Sequence, residues 1–370
     1  MDSKFMAAKI QFNNIKVKMK AYFCVTNIKF VMRKILLFLC LTVAISCGST
    51  KKMTKVNDVF TIAFGSCNKT SLPNLLWDDI QQTKPDVWIW GGDNIYADTD
   101  DMQKLRSMYA AQKAIPGYKN LMATAAVIGT WDDHDYGLND GGAEFLAKKE
   151  SQQAFLDFMD VGADSPRRNR EGVYASHAYQ TGEGSVKVLV LDTRYFRTAL
   201  TPDTETKKRT KPNEYGEGTV LGVAQWSWLE QELVHSKADF NIIVSSIQIL
   251  SNEHGFECWG NFPHEVDRFK RIIANSNANG IIVLSGDRHI SEISKTELAD
   301  VSYPLIDFTS SGLTHAYRGF TGEPNPFRMG AVVSTESFGT VRLNFKTKTA
   351  VLQMLGDNGE VLGEVRQRYE

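Results

Sequence analysis

The sequence predicts an α/β fold in which two packed sheets are flanked by helices, and three observations predict it. Apolar runs of strand length, rich in β-branched and aromatic residues, recur along the chain: "VFTIAFGSC", "DVWIWGGD", "AAVIGTWDDHD", "VKVLVLDTR", "FNIIVSSIQ" and "GIIVLSGDRH". Helical patterns lie between them, in "LPNLLWDDIQQ", "AEFLAKKESQQAFLDFM", "VAQWSWLEQELV" and "EVDRFKRIIANS". From Tyr303 onward the chain reads mainly as strands, in "YPLIDFTSSG", "GAVVSTESFGTVRLNF" and "AVLQMLG".

Composition bounds the reading. The 370 residues are 42% hydrophobic and 23% charged, with a formal net charge of −1, so no bias toward nucleic acid is evident. Seven Trp supply bulk for a large core. There is no internal repeat and no low-complexity tract. Thr198–Thr219 is polar, carries Pro202 and Pro212, and is expected to be a long surface loop and not a domain linker.

The N-terminal segment differs in kind. A Lys-rich stretch precedes Met32, the expected true start. Arg33 and Lys34 then form a basic region before an apolar run of eleven residues, Ile35–Ile45, too short for a comfortable permanent span. The ending "AISC" resembles a bacterial lipobox and implies cleavage before Cys47, with lipid on its sulfur. The expected organisation is a leader and lipoprotein signal peptide over 1–46, a tether over 47–57 and one domain over 58–370. The expected location is exported and membrane-anchored, periplasmic or at the cell surface. Cys24, Cys40 and Cys47 belong to the leader or anchor, which leaves Cys67 and Cys258 and at most one disulfide.

Taken in order, the strands end in chemistry. The first runs into Cys67, the second into Asp93 and Tyr96, and the third into "TWDDHDYGLND" with four aspartates in eleven residues. The sixth ends at Asp287 and His289. Ligands in such folds gather just past the carboxyl ends of strands. Any one of these residues alone reads as core, cap or turn. Their repetition at successive strand ends points to a pair of cations, which would also cancel the repulsion among the acids.

"FGSC", "GGDNIY", "TWDDHD", "LDTRYFR" and "SGDRH" occur in that order and together resemble the alkaline phosphatase D (PhoD-like) family of metallophosphoesterases. The resemblance covers roughly Phe60 to Phe345 and implies a four-layer α/β/β/α metallophosphatase sandwich. It implies that Asp93 bridges two metal sites and that Cys67, Tyr96 and Asp287 hold a ferric ion. Asp133, or Asn139 further along, would serve the second site, with His289 as a ligand or a supporting group. Fe3+ with Ca2+, or another divalent ion such as Zn2+, Mn2+ or Mg2+, is the expected cofactor set. His134 would lie beside the leaving group, with Asp132 counted among the catalytic residues. Arg194, Arg197 and Asn94 would contact phosphate.

The implied reaction is hydrolysis of a phosphate ester by a metal-activated water, monoester or diester. The alternatives are a phospholipase-like phosphodiesterase acting on lipid headgroups, or a non-catalytic metal-binding surface lipoprotein. Three further motifs stay structural by default. "ADTDD" reads as a helix cap in preference to a calcium loop. "NEHGFECWGNFPHE" fits no standard zinc spacing but follows a strand, so it is a candidate pocket wall. "SSGLTH" lacks the surroundings of a nucleophilic serine, and His177 and His235 read as surface or hairpin residues.

Overall fold

The computed structural model describes residues 59–369; the expected leader, the Cys47 anchor and the tether lie outside the described residues. In chain order the first half comprises β1 (Val59–Gly65), α1 (Trp77–Gln82), β2 (Val87–Gly91), α2 (Met102–Ala114), α3 (Pro116–Thr124), β3 (Ala126–Thr130), α4 (Asp133–Tyr136) and α5 (Lys148–Phe158). Then come β4 (Ala175–Gln180), β5 (Ser185–Val190), β6 (Thr201–Pro202), β7 (Thr210–Lys211), α6 (Gly222–Val234), β8 (Phe240–Val244), α7 (Pro263–Asn275) and β9 (Ile281–Ser285). The chain closes with β10 (Ser291–Thr296), β11 (Leu305–Ser310), β12 (Arg328–Val333), β13 (Phe338–Asn344), β14 (Thr349–Leu355) and β15 (Val361–Arg368).

Two sheets carry the fold. One is six-stranded in the order β15-β14-β13-β1-β2-β3, the other seven-stranded in the order β12-β10-β11-β9-β8-β5-β4. Alternation along the strands explains why they stack. Ile62, Phe64 and Ile89 join the core shared with the second sheet, while Ala63, Trp88 and Trp90 point the other way. Phe64 meets Phe308 of β11 edge to face at 4.9 Å, a contact between the sheets. On the far face of the first sheet, Trp88 and Trp90 pack against Trp77 of α1, Tyr118 of α3 and Phe158 of α5. Trp226 of α6 and Phe269 of α7 belong to the core of the second sheet. The layers run α/β/β/α.

Parallel pairing sets the working end. β1, β2 and β3 run side by side, with Gly65 opposite Trp90 and Gly91 opposite Thr130. β5, β8 and β9 are parallel as well. All six deliver their carboxyl ends to one pole, the mouth.

Some expected elements shift. The helix expected from Ala143 begins at Lys148, because the Ala143 N–H donates to the Arg197 carbonyl and holds the preceding turn off the helix axis. The loop Thr198–Thr219 carries the small β6–β7 hairpin. β4, β10 and β15 were not expected. β10 reads "SEISKT", too polar to announce a strand, yet it is paired on both sides, by β11 and β12.

Candidate metal centre

The mouth is built from short turns that follow the strands. Cys67 lies two residues beyond β1, Asp93 two beyond β2, Asp132 two beyond β3, Ser246 two beyond β8 and Asp287 two beyond β9. Cys67 (φ 59°), Asp93 (φ 50°), Asp287 (φ 67°) and His289 (φ 53°) all adopt left-handed backbone. That conformation is uncommon for residues with a side chain and gathers where the surroundings enforce it. Here each turn must swing a side chain back over the strand ends. Two glycines let the turns close. A Cβ on Gly92 would lie 2.6 Å from the Cβ of Asp132, and one on Gly286 would lie 2.7 Å from the Gly91 carbonyl oxygen.

The turns assemble three overlapping donor groups, each with ligand atoms within 4.8 Å of one another: Cys67, Asp93 and His289; Asp93, Asp133 and His134; and Asp93, Asp132, Asp133 and Asp287. Asp93 is common to all three. Its Oδ2 accepts from the Cys67 thiol at 3.4 Å and from the Tyr96 hydroxyl at 3.2 Å, and its Oδ1 accepts from the His134 N–H at 3.3 Å. Tyr96 Oη also lies 3.4 Å from His289 Nε2. Asp133 is held at both oxygens by backbone N–H groups, of His134 at 2.9 Å and of Asp140 at 2.7 Å. The donors needed to fix the carboxylate thus come from main chain.

Electrostatics asks for cations. Burial, then the charges of Cys67, Asp133 and Asp132, hold the Asp93 carboxyl well above the usual range. Burial raises Asp132 likewise, against the opposing pull of Arg194, and pushes Asp287 up to about 7 against that of Arg288. Burial also opposes ionisation of Asp133, but Arg194, His134 and the Asp140 N–H outweigh it and lower its pKa. At Cys67, burial is outweighed by the His289 imidazolium and by hydrogen bonds from His289, Ser311 and Tyr96, and the thiol comes down to about 6. His289 rises to about 9 in return, burial opposing and Cys67 prevailing. Among the described residues, Asp132 Oδ2 is buried with no hydrogen-bond partner. Crowded carboxylates, a thiolate and an orphaned buried oxygen fit metal ions.

The three residues expected at phosphate are all buried. Arg194 is 0% exposed. Its Nε donates to Asp132 Oδ1 at 2.5 Å and its NH1 to Glu257 Oε2 at 2.5 Å. Arg197, also 0% exposed, sets its Nε 2.8 Å from Glu257 Oε1, an ion-pair contact without hydrogen-bond alignment. Asp132 and Glu257 hold the Arg194 guanidinium, and the carbonyls of Thr198 and Asp140 take the terminal nitrogens of Arg197. Asn94 is 0% exposed and donates to Asp135 Oδ2 at 2.6 Å and to the Thr130 carbonyl at 3.0 Å. Asn139, the alternative ligand to Asp133, is exposed on the turn after α4, and its neighbour Asp140 contributes a main-chain N–H in its place. Asp132 is present but is gripped from behind by Arg194 and by Ser246 Oγ at 2.7 Å.

Other residues were not foreseen. Glu257 comes from "NEHGFECWGNFPHE" and neutralises both buried arginines. No donor group among the described residues includes His254, Cys258 or His264. Cys67 and Cys258 are both free thiols. Ser311, from "SSGLTH", donates to Cys67 Sγ at 3.1 Å and accepts from the His289 N–H at 2.7 Å. His315 meets His289 edge to face, with centroids 4.5 Å apart. In "ADTDD", Asp101 caps α2 by accepting from Gln103 and Lys104, whereas Asp98 turns to His134. The helix cap was legible; the second role of that motif was not.

The family model described as PhoD-like phosphatase matches residues 62–340. The chain is 24% identical over 271 residues to the alkaline phosphatase D of Bacillus subtilis (strain 168), a match covering 62% of this chain and 46% of that protein. The chain thus spans less than half the length of that curated relative. The structure described as PhoD superposes with a TM-score of 0.66 at 19% identity, covering 86% of this chain and 69% of that one. GAP50, described as the anchor in the inner membrane complex of Plasmodium, superposes with a TM-score of 0.54 at 13% identity, covering 84% and 89%. At such identities both structures speak for the fold alone.

Proposed function

The chain belongs to the PhoD-like phosphatase family, and from that premise we propose that it hydrolyses phosphate esters with metal ions held at the mouth. The observation that carries the reading is the sharing of Asp93 by three donor groups. One carboxylate common to neighbouring sets is what a paired centre requires.

Cys67, Asp93 and His289, with Tyr96 alongside, would hold one ion. Thiolate and phenolate are anionic donors suited to ferric iron. Asp93 with Asp133, and with Asp132 or Asp287, would hold a second ion such as Ca2+, or Zn2+, Mn2+ or Mg2+. When bound, such ions polarise phosphoryl oxygens and lower the pKa of water toward ~7. The chain's own groups do the rest. Main-chain N–H groups fix Asp133 so that it need not reorganise. Arg194 holds Asp132 in place and balances its charge from behind. His134, 20% exposed at its side chain, would give a proton to a departing oxygen. The expected lipid on Cys47 would place this activity on the outside of the cell, at a membrane or in the periplasm.

The test is a panel of nitrophenyl and alkyl monoesters and diesters, assayed with and without added metal, on the mature protein and on Asp93→Asn. Metal-dependent turnover lost in Asp93→Asn supports the reading; a diester preference on lipid headgroups would favour the phospholipase-like alternative. A metal-loaded protein inactive on every ester would leave only a metal-binding surface protein. For iron, a tyrosinate charge-transfer colour that Tyr96→Phe bleaches is expected. A colourless, fully active protein would exclude that assignment.

A further inference from the structure

We infer that an apolar groove beside the metal centre binds the organic group of the ester, so that the preferred substrates are phosphate esters of uncharged, apolar alcohols. The inference rests on the proposed phosphoesterase reading and names the substrate class of that site. The groove is a cavity of about 450 Å³, lined by Leu72, Pro73, Leu75, Leu76, Leu313 and Leu362. Leu76 and Leu313 are buried, but Leu72 is 40% exposed and Leu75 67%. Single exposed leucines are ordinary. Two that converge on a concave surface with four more apolar side chains form a binding surface.

Topology puts the groove at the mouth. Phe64 pairs with Gly339, Phe338 with Leu355 and Leu355 with Val361, so the turn from Gly356 to Glu360 stands level with the end of β1. Gly356, Asp357 and Glu360 of this turn line the groove. Two further segments serve both the groove and the metal centre. The turn after β1 gives Cys67 to the centre and then Leu72 to Leu76 to the groove. Asn74 fixes that turn, donating to Asn68 Oδ1 at 3.1 Å and accepting from the Leu76 N–H at 2.9 Å. The loop after β11 is tied to the same turn: the Leu313 N–H donates to the Ser66 carbonyl at 3.1 Å, and Thr314 Oγ1 donates to the Cys67 carbonyl at 3.3 Å. Leu313 and Thr314 line the groove, while the next residue, His315, meets the rings of Tyr96 and His289 at 4.9 and 4.5 Å. A single residue thus stands between the groove wall and the metal donors.

Charge narrows the class. Besides the Arg318–Glu336 pair, the rim carries Asp357 and Glu360. A second phosphate or a carboxylate would meet these acids, whereas a hydrocarbon would meet the leucines.

The experiment is a chain-length series on the metal-loaded protein: alkyl phosphates and methyl alkyl phosphates with alkyl groups of one, three, five and seven carbons, all monomeric in solution. The value of kcat/KM is expected to rise about 2- to 4-fold per methylene up to the length that fills the groove. Methylphosphonate and heptylphosphonate, which are not hydrolysed, give a readout without turnover, and the heptyl compound should raise Tm further. Leu72→Ser combined with Leu75→Ser should bring the ratio of the seven-carbon to the one-carbon ester toward unity and remove the extra rise in Tm. Leu75→Trp should instead end the rise at a shorter chain. Equal kcat/KM along the series in the wild-type protein, or a slope that the double serine variant keeps, would overturn the inference and leave the phosphoesterase reading standing. So would a flat series with binding to phosphatidylcholine–phosphatidylglycerol vesicles that the double variant loses, which would give the leucines to a membrane surface. A wild-type protein inactive on every ester would bring down that reading and the inference together.

Discussion

The two poles of the molecule treat the same residue type in opposite ways. At the base, where β1 and β8 begin, Asp239 accepts from the Ser185 N–H at 2.8 Å and its hydroxyl at 3.1 Å, and Lys348 pairs with it. Partial burial opposes its ionisation, but Lys348 and Ser185 prevail and its pKa falls. Asp86, also at the base, accepts from the Thr61 N–H at 2.9 Å. At the mouth, buried Asp93 and Asp132 and half-buried Asp287 are gathered together and pushed upward, with one oxygen lacking a partner among the described residues. An acid that fastens a strand is given its donors by the fold. The acids of the mouth are crowded against one another and against Cys67, and that crowding defines what must bind.

The comparison can be broken most decisively at Asp93. Asp93→Asn is expected to abolish metal binding and reduce esterase activity to background, as metal analysis and a nitrophenyl phosphate assay would record. Retained metal with full activity would remove the mouth's claim to be a metal centre.

Arg194→Ala is the next largest. Removing the cation strands Asp132 inside the protein and leaves Glu257 only Arg197, at a cost of about 3–5 kcal/mol. Urea unfolding would register that loss, and added phosphate should not recover it. A surface phosphate clamp would raise KM and leave unfolding unchanged.

Chelation should act on the mouth alone. Binding at a hundredfold excess over Kd stabilises by about 2.7 kcal/mol, so stripping the metal should lower Tm by several degrees. Asp239→Asn should keep the full metal dependence of Tm and lose about 1 kcal/mol of its own, the worth of a partly exposed hydrogen-bonded acid. Should Asp239→Asn change metal affinity, the two poles would not be independent.

The smallest expected effect is on pH. Burial, then Arg288 and Lys208, bring His254 down to about 3. The unfolded chain takes up the proton near pH 6.5, before the folded one does. Its contribution to stability is therefore complete above pH 6.5 and is lost as pH falls from there toward 3. His254→Gln should flatten the slope of urea midpoint against pH in that window.

The sequence made the mouth legible because strand ends are punctuated by motifs: "GSC", "GGD", "DDH" and "GDRH" stand where apolar runs stop. It made the burial of Arg194, Arg197 and Asn94 illegible. Whether a guanidinium meets phosphate or carboxylate depends on Glu257, 63 residues away along the chain from Arg194, in a loop with no periodicity to place it. Asp98 was hidden for the opposite reason. It sits in a run of acids whose helix-capping role, fulfilled by Asp101, already accounts for them. β10 was hidden because the partners of its polar side chains are distant: Glu292 pairs with Arg328 and accepts from Gln248 at 2.7 Å.

The direction of β1 sets the described ends of the chain apart from the mouth. Val59 pairs with Asn344, Asn344 with Thr349 and Thr349 with Arg368, so the first and last described strands begin and finish in one row at the base. The seven residues of β1 then climb roughly 23 Å before reaching Cys67. The described chain thus begins and ends at the base, and the acids stand at the opposite end of the parallel strands, a full strand length away.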